Sequence, residues 1–285
     1  INEINAGTYI IDGKLLKQEL GNLSTDNSQN EYYLTDVLEN IAKNNNVATL
    51  AVDSESILGV NSRIQLAQAE TVMRKRINEA HMRNGVTLIN PDCTYIDKSV
   101  IIEKDCIIYP NCHIKGNTLI RSNTEIRENA VIENSVIGEC VSVKSSTIID
   151  SQIGNGTTVG PYAYLRPGSR IGNNCKIGDF VEFKNASFGD GSKASHLSYI
   201  GDADVGSNVN IGCGVVFVNY DGKNKFRTVV KDNSFVGSNS NLVAPVTIEE
   251  NSFIAAGSTI TEDVPKDSLA IARGRQVNKA DWNNK

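Results

Sequence analysis

No run of eighteen apolar residues occurs anywhere in the 285-residue chain, so no helix of membrane-spanning length is expected. No secretory signal pattern stands at its start. No two cysteines form a CxxC pair, and there are only three histidines, His81, His113 and His196. Paired-cysteine zinc sites are therefore excluded. A zinc centre of three imidazoles would need all three histidines to converge, yet His81 falls in a helical stretch and His113 lies several repeats before His196. The net charge of −5 with a hydrophobic fraction of 40% fits a soluble protein with no nucleic-acid or membrane partner. The six cysteines, Cys93, Cys106, Cys112, Cys140, Cys175 and Cys213, are read as free thiols in a reducing, cytoplasmic setting.

What the chain does have is a period of six. Isoleucine stands at 96, 102, 108, 114, 120, 126 and 132. A helix needs apolar residues three and four apart and a strand needs them two apart. Period six means the chain turns a corner at a fixed interval and buries the same position each time. Four residues after each isoleucine comes a small or β-branched residue: Val100, Cys106, Cys112, Thr118, Thr124, Ala130 and Val136. The register then slips by single residues through Ile137, Val143, Ile148, Ile153, Val159, Leu165, Ile171, Ile177 and Phe183. It is strict again from Val230 to Ile260. Three such sides make an eighteen-residue coil, and coils stack through parallel strand pairing about 4.8 Å apart. Residues 96–265 would supply roughly nine coils.

The flanks differ. Residues 1–63 mix strand-like runs such as Thr8-Tyr9-Ile10-Ile11 with a helical run from Thr35 to Lys43, as in the trailing part of an α/β domain. The chain starts with Ile1 rather than Met, and is read as a fragment of something longer. Residues 64–85 read as a linker helix with Leu66, Ala69, Met73, Ile77 and Ala80 on one stripe, Asn61 at the N-cap and Gly85 at its end. Arg74, Lys75 and Arg76 are read as its solvated face. Residues 86–265 are the solenoid, and 266–285 form a tail that leaves the repeat.

A solenoid is mostly scaffold, so chemistry is expected where the repeat breaks. Two breaks stand close together: residues 188–205, containing Ser195-His196-Leu197-Ser198-Tyr199, and residues 218–226, containing Asn219-Tyr220-Asp221-Gly222. Arg166 and Lys184 are one coil apart, so both can reach one anion. Imidazole titrates near neutrality and suits a general base. The ordinary alternative for His196 is a corner histidine satisfied by hydrogen bonds. For the cations it is a solvated charge, and for Asn210 and Asn219 it is turn chemistry.

Seven segments then match one family in order: Arg166-Pro167-Gly168, Phe180-Val181-Glu182-Phe183-Lys184, Ser195 to Ala203, Asn208-Val209-Asn210-Ile211-Gly212, Asn219-Tyr220-Asp221-Gly222, Asn241 to Val246, and Ala255-Ala256-Gly257. Together they resemble the acetyltransferase half of the bifunctional bacterial enzymes that join a glucosamine-1-phosphate N-acetyltransferase to an N-acetylglucosamine-1-phosphate uridyltransferase. The resemblance implies a mainly β protein, a left-handed parallel β-helix preceded by a linker helix and an α/β remnant. It implies transfer of an acetyl group from acetyl-CoA to the sugar amine, with the product bound for UDP-N-acetylglucosamine and cell-wall precursors. It makes His196 the catalytic base. Arg166, Lys184, Tyr199, Asn210 and Lys225 become sugar-phosphate ligands. Cys213, Asn219, Tyr220, Ser238, Ala256 and Arg273 become acetyl-CoA ligands, without an acetyl-cysteine intermediate. It also implies a homotrimer with sites at subunit interfaces and the tail packed on a neighbour.

The family's uridyltransferase half opens with a glycine-rich phosphate loop and an aspartate that shares Mg²⁺, and neither is found here. The matches that remain are Asn5, implied to touch a UDP-sugar, and Asn61, implied to touch it and to ligate Mg²⁺ in an intact parent. One amide oxygen does not make a site for an ion that wants six, so this sequence alone is not expected to form UDP-N-acetylglucosamine. Two other readings share the repeat: a hexapeptide acyltransferase for a different acceptor, and a non-catalytic solenoid that binds or spaces.

Overall fold

The computed structural model describes residues 4–280 and 282. Residues 1–3 at the start, and 281 and 283–285 in the expected tail, lie outside the described residues. The chain divides into two compact units, Ile1–Val72 and Met73–Lys285.

The first unit holds helix α1 (Gly13–Leu20), helix α2 (Leu34–Ala42) and a short 3-10 turn at Ser54–Ile57. Asp12 caps α1 by accepting from the backbone of Lys14 and Leu15, and Val37 and Ile41 of α2 are buried. The helix expected from Thr35 is present, but residues 8–11 are not a strand. A strand persists only beside a ladder partner, and none lies among the described residues of this unit.

Helix α3 (Arg63–Arg83) stands where a helix was expected. Its cap is Ser62 rather than Asn61: Ser62 Oγ accepts from the Gln65 N–H at 3.2 Å, and Gln65 Oε1 takes the Asn61 N–H at 2.7 Å. That reciprocal pair resembles a capping box. Of the expected stripe only Ala69 and Ile77 are half-buried, whereas Leu66, Met73 and Ala80 are exposed. The buried residue is Asn78, which donates to the Pro91 and Thr94 carbonyls at 2.7 and 3.0 Å. Arg74 is also more than a solvated charge, since its guanidinium lies 5.0 Å from the Tyr95 ring centre.

The second unit is a parallel β-solenoid. Its short strands form three sheets of eleven, ten and nine members, each coil contributing one strand to each sheet. Ile107 pairs with Glu125, Glu125 with Ser142 and Ser142 with Thr158, so a coil takes sixteen to eighteen residues. The isoleucines of the hexad fill the interior; Ile108, Ile114, Ile120, Ile126, Ile132 and Ile137 are fully buried. Cys106, Cys112 and Cys175 occupy the small inward slot as expected, and burial pushes the Cys112 thiol up to about 11. The buried hydroxyls of that slot donate to carbonyls of the stack, as Thr124 does to Gly138 and Ser192 to Gly206.

Three details of the sequence reading change. The inward small residue after Ala130 is Ser135, not Val136, which is exposed; the side from Ile132 to Ile137 has lost one residue, so the slot moves with it. Residues 188–205 are not a break. Phe188, Ala194, Ile200 and Val205 continue the inward column, with regular parallel pairing throughout. Alanine in the large slot disguised the repeat, and the Phe183–Phe188 edge-to-face pair nearby supplies bulk. The ladder also runs past 265, through the strand Leu269–Ala270 and the Thr259 N–H bond to the Ala272 carbonyl.

The true excursion is residues 219–227, between the strands Val216–Val218 and Thr228–Val230. There Asn210 pairs with Phe235, twenty-five residues on.

Cutting Ile126 to Ala should remove about 2–5 kcal/mol of stability, because neighbouring rungs cannot collapse into the gap. Urea unfolding of the second unit's signal measures this, and a loss below about 1 kcal/mol would contradict a close-packed interior.

Candidate functional site

The parallel strands Lys176–Asp179 and Lys193–His196 place His196 opposite Asp179, one coil earlier. Nδ1 of His196 lies 2.6 Å from Asp179 Oδ1. The hydrogen bond from His196 holds the Asp179 carboxyl below the usual aspartate range. A carboxylate only accepts, so Nδ1 carries the proton and, in the neutral ring, Nε2 is left as an acceptor. The imidazole itself is exposed. Asp179 was not singled out from the sequence. Its signal is a seventeen-residue offset, one short coil before His196.

Register extends this corner. The inward residues Ile177, Ala194, Ile211, Val236, Ile254 and Ala270 align across successive strands. Two residues further on in each coil stand Asp179, His196, Cys213, Ser238, Ala256 and Ala272. Asn239 N–H bonds to the Cys213 carbonyl and Gly257 N–H to the Ser238 carbonyl, both at 2.8 Å. Arg273 returns its guanidinium to the Ala256 carbonyl at 2.8 Å. The rungs are close here: a Cβ on Gly237 would stand 2.5 Å from Ala256 N. Next to this column, Tyr162, Phe180 and Leu197 turn the corner with φ of 58°, 56° and 45°. Other coils use Asn111, Asn129, Gly214, Asn239 and Gly257 there, residues that enter this region more cheaply. All three bulky residues are exposed, and the Tyr162 and Phe180 rings stack at 5.5 Å.

The neighbouring corner is cationic. Lys184 ends the strand Glu182–Lys184 and pairs with Gly201, which follows Tyr199 and Ile200. Asp202, buried, takes hydrogen bonds from Asn185 Nδ2 at 2.7 Å, Asn219 Nδ2 at 2.6 Å and Lys184 Nζ at 3.3 Å. Asn219 Nδ2 also approaches the Tyr199 hydroxyl at 3.4 Å. Burial acts on Asp202 most strongly and pushes its carboxyl up, but the three donors together outweigh it and hold the group below the ordinary range. Arg166 pairs with Glu182 Oε1 at 2.9 Å, which keeps the guanidinium firmly charged. Lys225 reaches this corner from the excursion, whose ends close through the Tyr220–Lys225 bridge. The like charge of Lys184 close by draws Lys225 below the usual lysine value, while Lys184, which also has Asp202 beside it, is held above it. Tyr220 is exposed and donates to the Gly222 carbonyl at 2.8 Å.

Arg227 fastens the end of the excursion. It grips both oxygens of Asp204 at 2.5 and 2.6 Å and donates to the Asn185 and Ala203 carbonyls at 3.1 and 3.0 Å. Glu182, Asp202, Asp204 and Arg227 join Asp179 as residues given no role from the sequence.

One chain thus assembles two groups on adjacent corners. Arg166, Lys184, Tyr199, Asn219 and Lys225 form one, while His196, Cys213, Ser238, Ala256 and Arg273 form the other. Asn210 belongs to neither and lies on the strand face between Lys193 and Phe235. Asn5 and Asn61 lie in the first unit in local bonding, Asn5 to Gly7 and Tyr9 and Asn61 to Gln65. Among the described residues no three His, Cys, Asp or Glu side chains are grouped to hold a metal. No helix among them is long and apolar enough to cross a membrane.

Residues 99–134, 150–185 and 227–262 match the bacterial transferase hexapeptide (six repeats) model. Bifunctional protein GlmU of Clostridioides difficile (strain 630) is 60% identical over 284 residues, covering 99% of this chain and 62% of that protein. The chain is similar to the GlmU proteins along nearly its whole length. Bifunctional protein GlmU of Clostridium botulinum (strain 657 / Type Ba4) is 55% identical over 286 residues, covering 100% of this chain and 63% of the relative. The chain therefore spans somewhat under two thirds of the length of these GlmU relatives. Among solved structures, a UDP-N-acetylglucosamine acyltransferase of Francisella novicida aligns at a TM-score of 0.47 with 20% identity, over 65% of this chain and 67% of the other.

The Asp202 network generates a test. A depressed carboxyl contributes stability that is complete above its unfolded value of about 3.9 and is lost as pH falls through the lower folded value. The Asp202 carboxyl carbon should therefore titrate below about pH 3.9 in a ¹³C NMR series. A midpoint above that value would contradict the three-donor assignment.

Proposed function

We propose that this chain is the acetyltransferase portion of a GlmU-type cytoplasmic enzyme, moving the acetyl group of acetyl-CoA to the amine of glucosamine-1-phosphate. The observation that carries this reading is the end-to-end likeness to GlmU proteins at 60% identity. The His196–Asp179 pair and the adjacent cationic corner supply the chemistry it requires.

The amine attacks the thioester carbonyl as a neutral nucleophile. His196 Nε2 takes the amine proton as the C–N bond forms, and Asp179 steadies the resulting imidazolium. The C–S bond then breaks, and the imidazolium returns the proton to the departing CoA sulfur. Arg166, Lys184 and Lys225 bind the sugar phosphate, Tyr199 donates its hydroxyl to it, and Asn210 binds the sugar. Arg166 offers a planar fork and the lysines point charges, so they are not interchangeable. Asn219 and Tyr220 border the acetyl group. Acetyl-CoA lies along the corner column formed by Cys213, Ser238, Ala256 and Arg273, where close rungs favour backbone contacts. Cys213 stays a bystander, and no acetyl-cysteine forms.

We assign the working unit to a homotrimer in which a neighbouring copy completes each site. The two groups of residues occupy different corners of one chain, and exposed Tyr162, Phe180 and Leu197 offer an apolar contact beside His196. Residues 274–280 of the tail are assigned to the same contact. Mg²⁺ does not fit the residues described, because Asn61 offers a single amide oxygen. Uridyl transfer, with Asn5 and Asn61 as sugar-nucleotide contacts, is therefore assigned to a longer form of the protein.

Replacing His196 with Ala should lower kcat about 10²–10⁴-fold while circular dichroism stays unchanged. Thiol release from acetyl-CoA measures this, and an unaltered rate would remove the imidazole from the mechanism. The acceptor requirement is a separate check. Glucosamine lacking the phosphate should lose about 100-fold or more in kcat/KM, since several charge-assisted hydrogen bonds disappear. Equal rates for the two acceptors would instead favour a hexapeptide acyltransferase of another specificity. Failure to bind acetyl-CoA would favour a non-catalytic solenoid.

A further inference from the structure

The buried carboxylate Asp202 takes hydrogen bonds from three side chains, and through Asn219 it reaches a fourth polar group, the Tyr199 hydroxyl, so that three successive coils are joined. Lys184 and Asn185 come from one, Tyr199 from its own and Asn219 from the next. Three of these are residues already placed in the substrate site, and none of them orients itself. An asparagine amide has a donor end and an acceptor end of nearly equal shape, and a hydroxyl can turn either way. An ionised carboxylate has no such freedom, because it only accepts. Whichever atom of the Asn219 amide faces Asp202 must therefore be the NH₂. Its second hydrogen is directed at the Tyr199 hydroxyl oxygen. With that oxygen accepting, the Tyr199 proton is free to be donated elsewhere. Asn219 Oδ1, on the far side of the amide, is turned away from Asp202.

We propose that Asp202 is a positioning residue that sets the polarity of the acceptor site, fixing Asn219 as a hydrogen-bond acceptor and Tyr199 as a donor. This rests on the acetyltransferase reading above. The role is specific: Asn219 Oδ1 takes one N–H of the sugar amine and so turns the nitrogen lone pair toward the thioester, while Tyr199 gives its proton to a phosphate oxygen. The arrangement comes with an electrostatic penalty, since Asp202 puts negative charge near a bound phosphate. The Lys184 ammonium, 3.3 Å from Asp202, offsets it. A residue kept only for affinity would not be an anion in this place. Its value lies in orientation, which bears on kcat more than on binding.

Asp202→Asn tests this, because it keeps the shape, removes the charge and lets the Asn219 amide face either way. With the full chain, glucosamine-1-phosphate and acetyl-CoA, thiol release should fall about 10–100-fold in kcat. KM for the sugar phosphate should stay within about threefold or decrease, as a nearby anion has gone. The reversed pair Asp202→Asn with Asn219→Asp restores one donor and one acceptor in opposite order and again presents a carbonyl-type oxygen outward. It should recover at least about tenfold of the lost kcat. Thermal melting of each variant separates misfolding from misorientation. Active wild type with unchanged kcat in Asp202→Asn, or a folded double variant no better than the single, overturns the role. An increase in KM at constant kcat overturns it as well, since Asp202 would then serve binding alone. A wild type that releases no thiol overturns the acetyltransferase reading first and this role with it, a result distinct from the others.

Discussion

Parallel rung-to-rung register is the constraint on which every other feature of the second unit depends. Each inward residue is locked by the narrow interior, and its outward neighbours are locked with it. Ile177, Ala194 and Ile211 stack inside the solenoid, so Asp179, His196 and Cys213 stack outside at the corner two residues later. A one-residue slip of any strand would turn the inward side chain out and draw polar groups in. The hydrophobic ladder therefore acts as the positioning device for the polar one. It does so on backbone hydrogen bonds near 2.8–3.0 Å between successive coils, without help from a second layer of structure.

The cationic corner needs more than register, because the chain leaves the ladder there. Burying the Asp202 carboxylate is unfavourable unless donors surround it, and three donors from two coils do so. Removing any one partner would leave charge under-compensated, so the cluster keeps its members together. Arg227 performs a related task at the end of the excursion, tying it to Asp204 and to the carbonyls of Asn185 and Ala203. The Arg166–Glu182 pair is different. Both side chains are more than a third exposed, so water screens the pair and it adds little to stability. Its interest is that it holds a guanidinium in place at the edge of the same cluster.

The solenoid was legible because its interior accepts only one large and one small residue per side, and isoleucine marked the large one from 96 to 132. Legibility failed where volume was traded between positions. Ala194 in a large slot looked like an interruption, and the shortened side before Ile137 moved the small slot from Val136 to Ser135. The motif residues were visible as types, but their orienting carboxylates were not. An eighteen-residue interval finds Asp202 from Lys184 only because Asp202 stands one residue past Gly201, the register partner of Lys184; the coil is seventeen residues long there, as it is from Asp179 to His196, so an eighteen-residue search misses Asp179. The strand read into residues 8–11 failed for another reason. Strand-prone residue types say nothing of whether a partner edge exists.

Asp179 and Asp202 solve the same problem on adjacent corners. An imidazole and a side-chain amide each have two ends, one able to donate and one able to accept, and nothing in their shape selects between them. A carboxylate placed at one end selects, because it cannot donate. Asp179 takes the Nδ1 proton and leaves Nε2 as the acceptor, while Asp202 takes the Asn219 NH₂ and leaves Oδ1 as the acceptor. Both carboxyls are held below the ordinary aspartate range, so each stays an acceptor wherever an ordinary aspartate would be ionised. The result is two outward acceptors on a scaffold whose neighbouring charges are cationic. That combination suits a substrate carrying N–H bonds at one end and an anion at the other, and it follows from where two aspartates fall in the register.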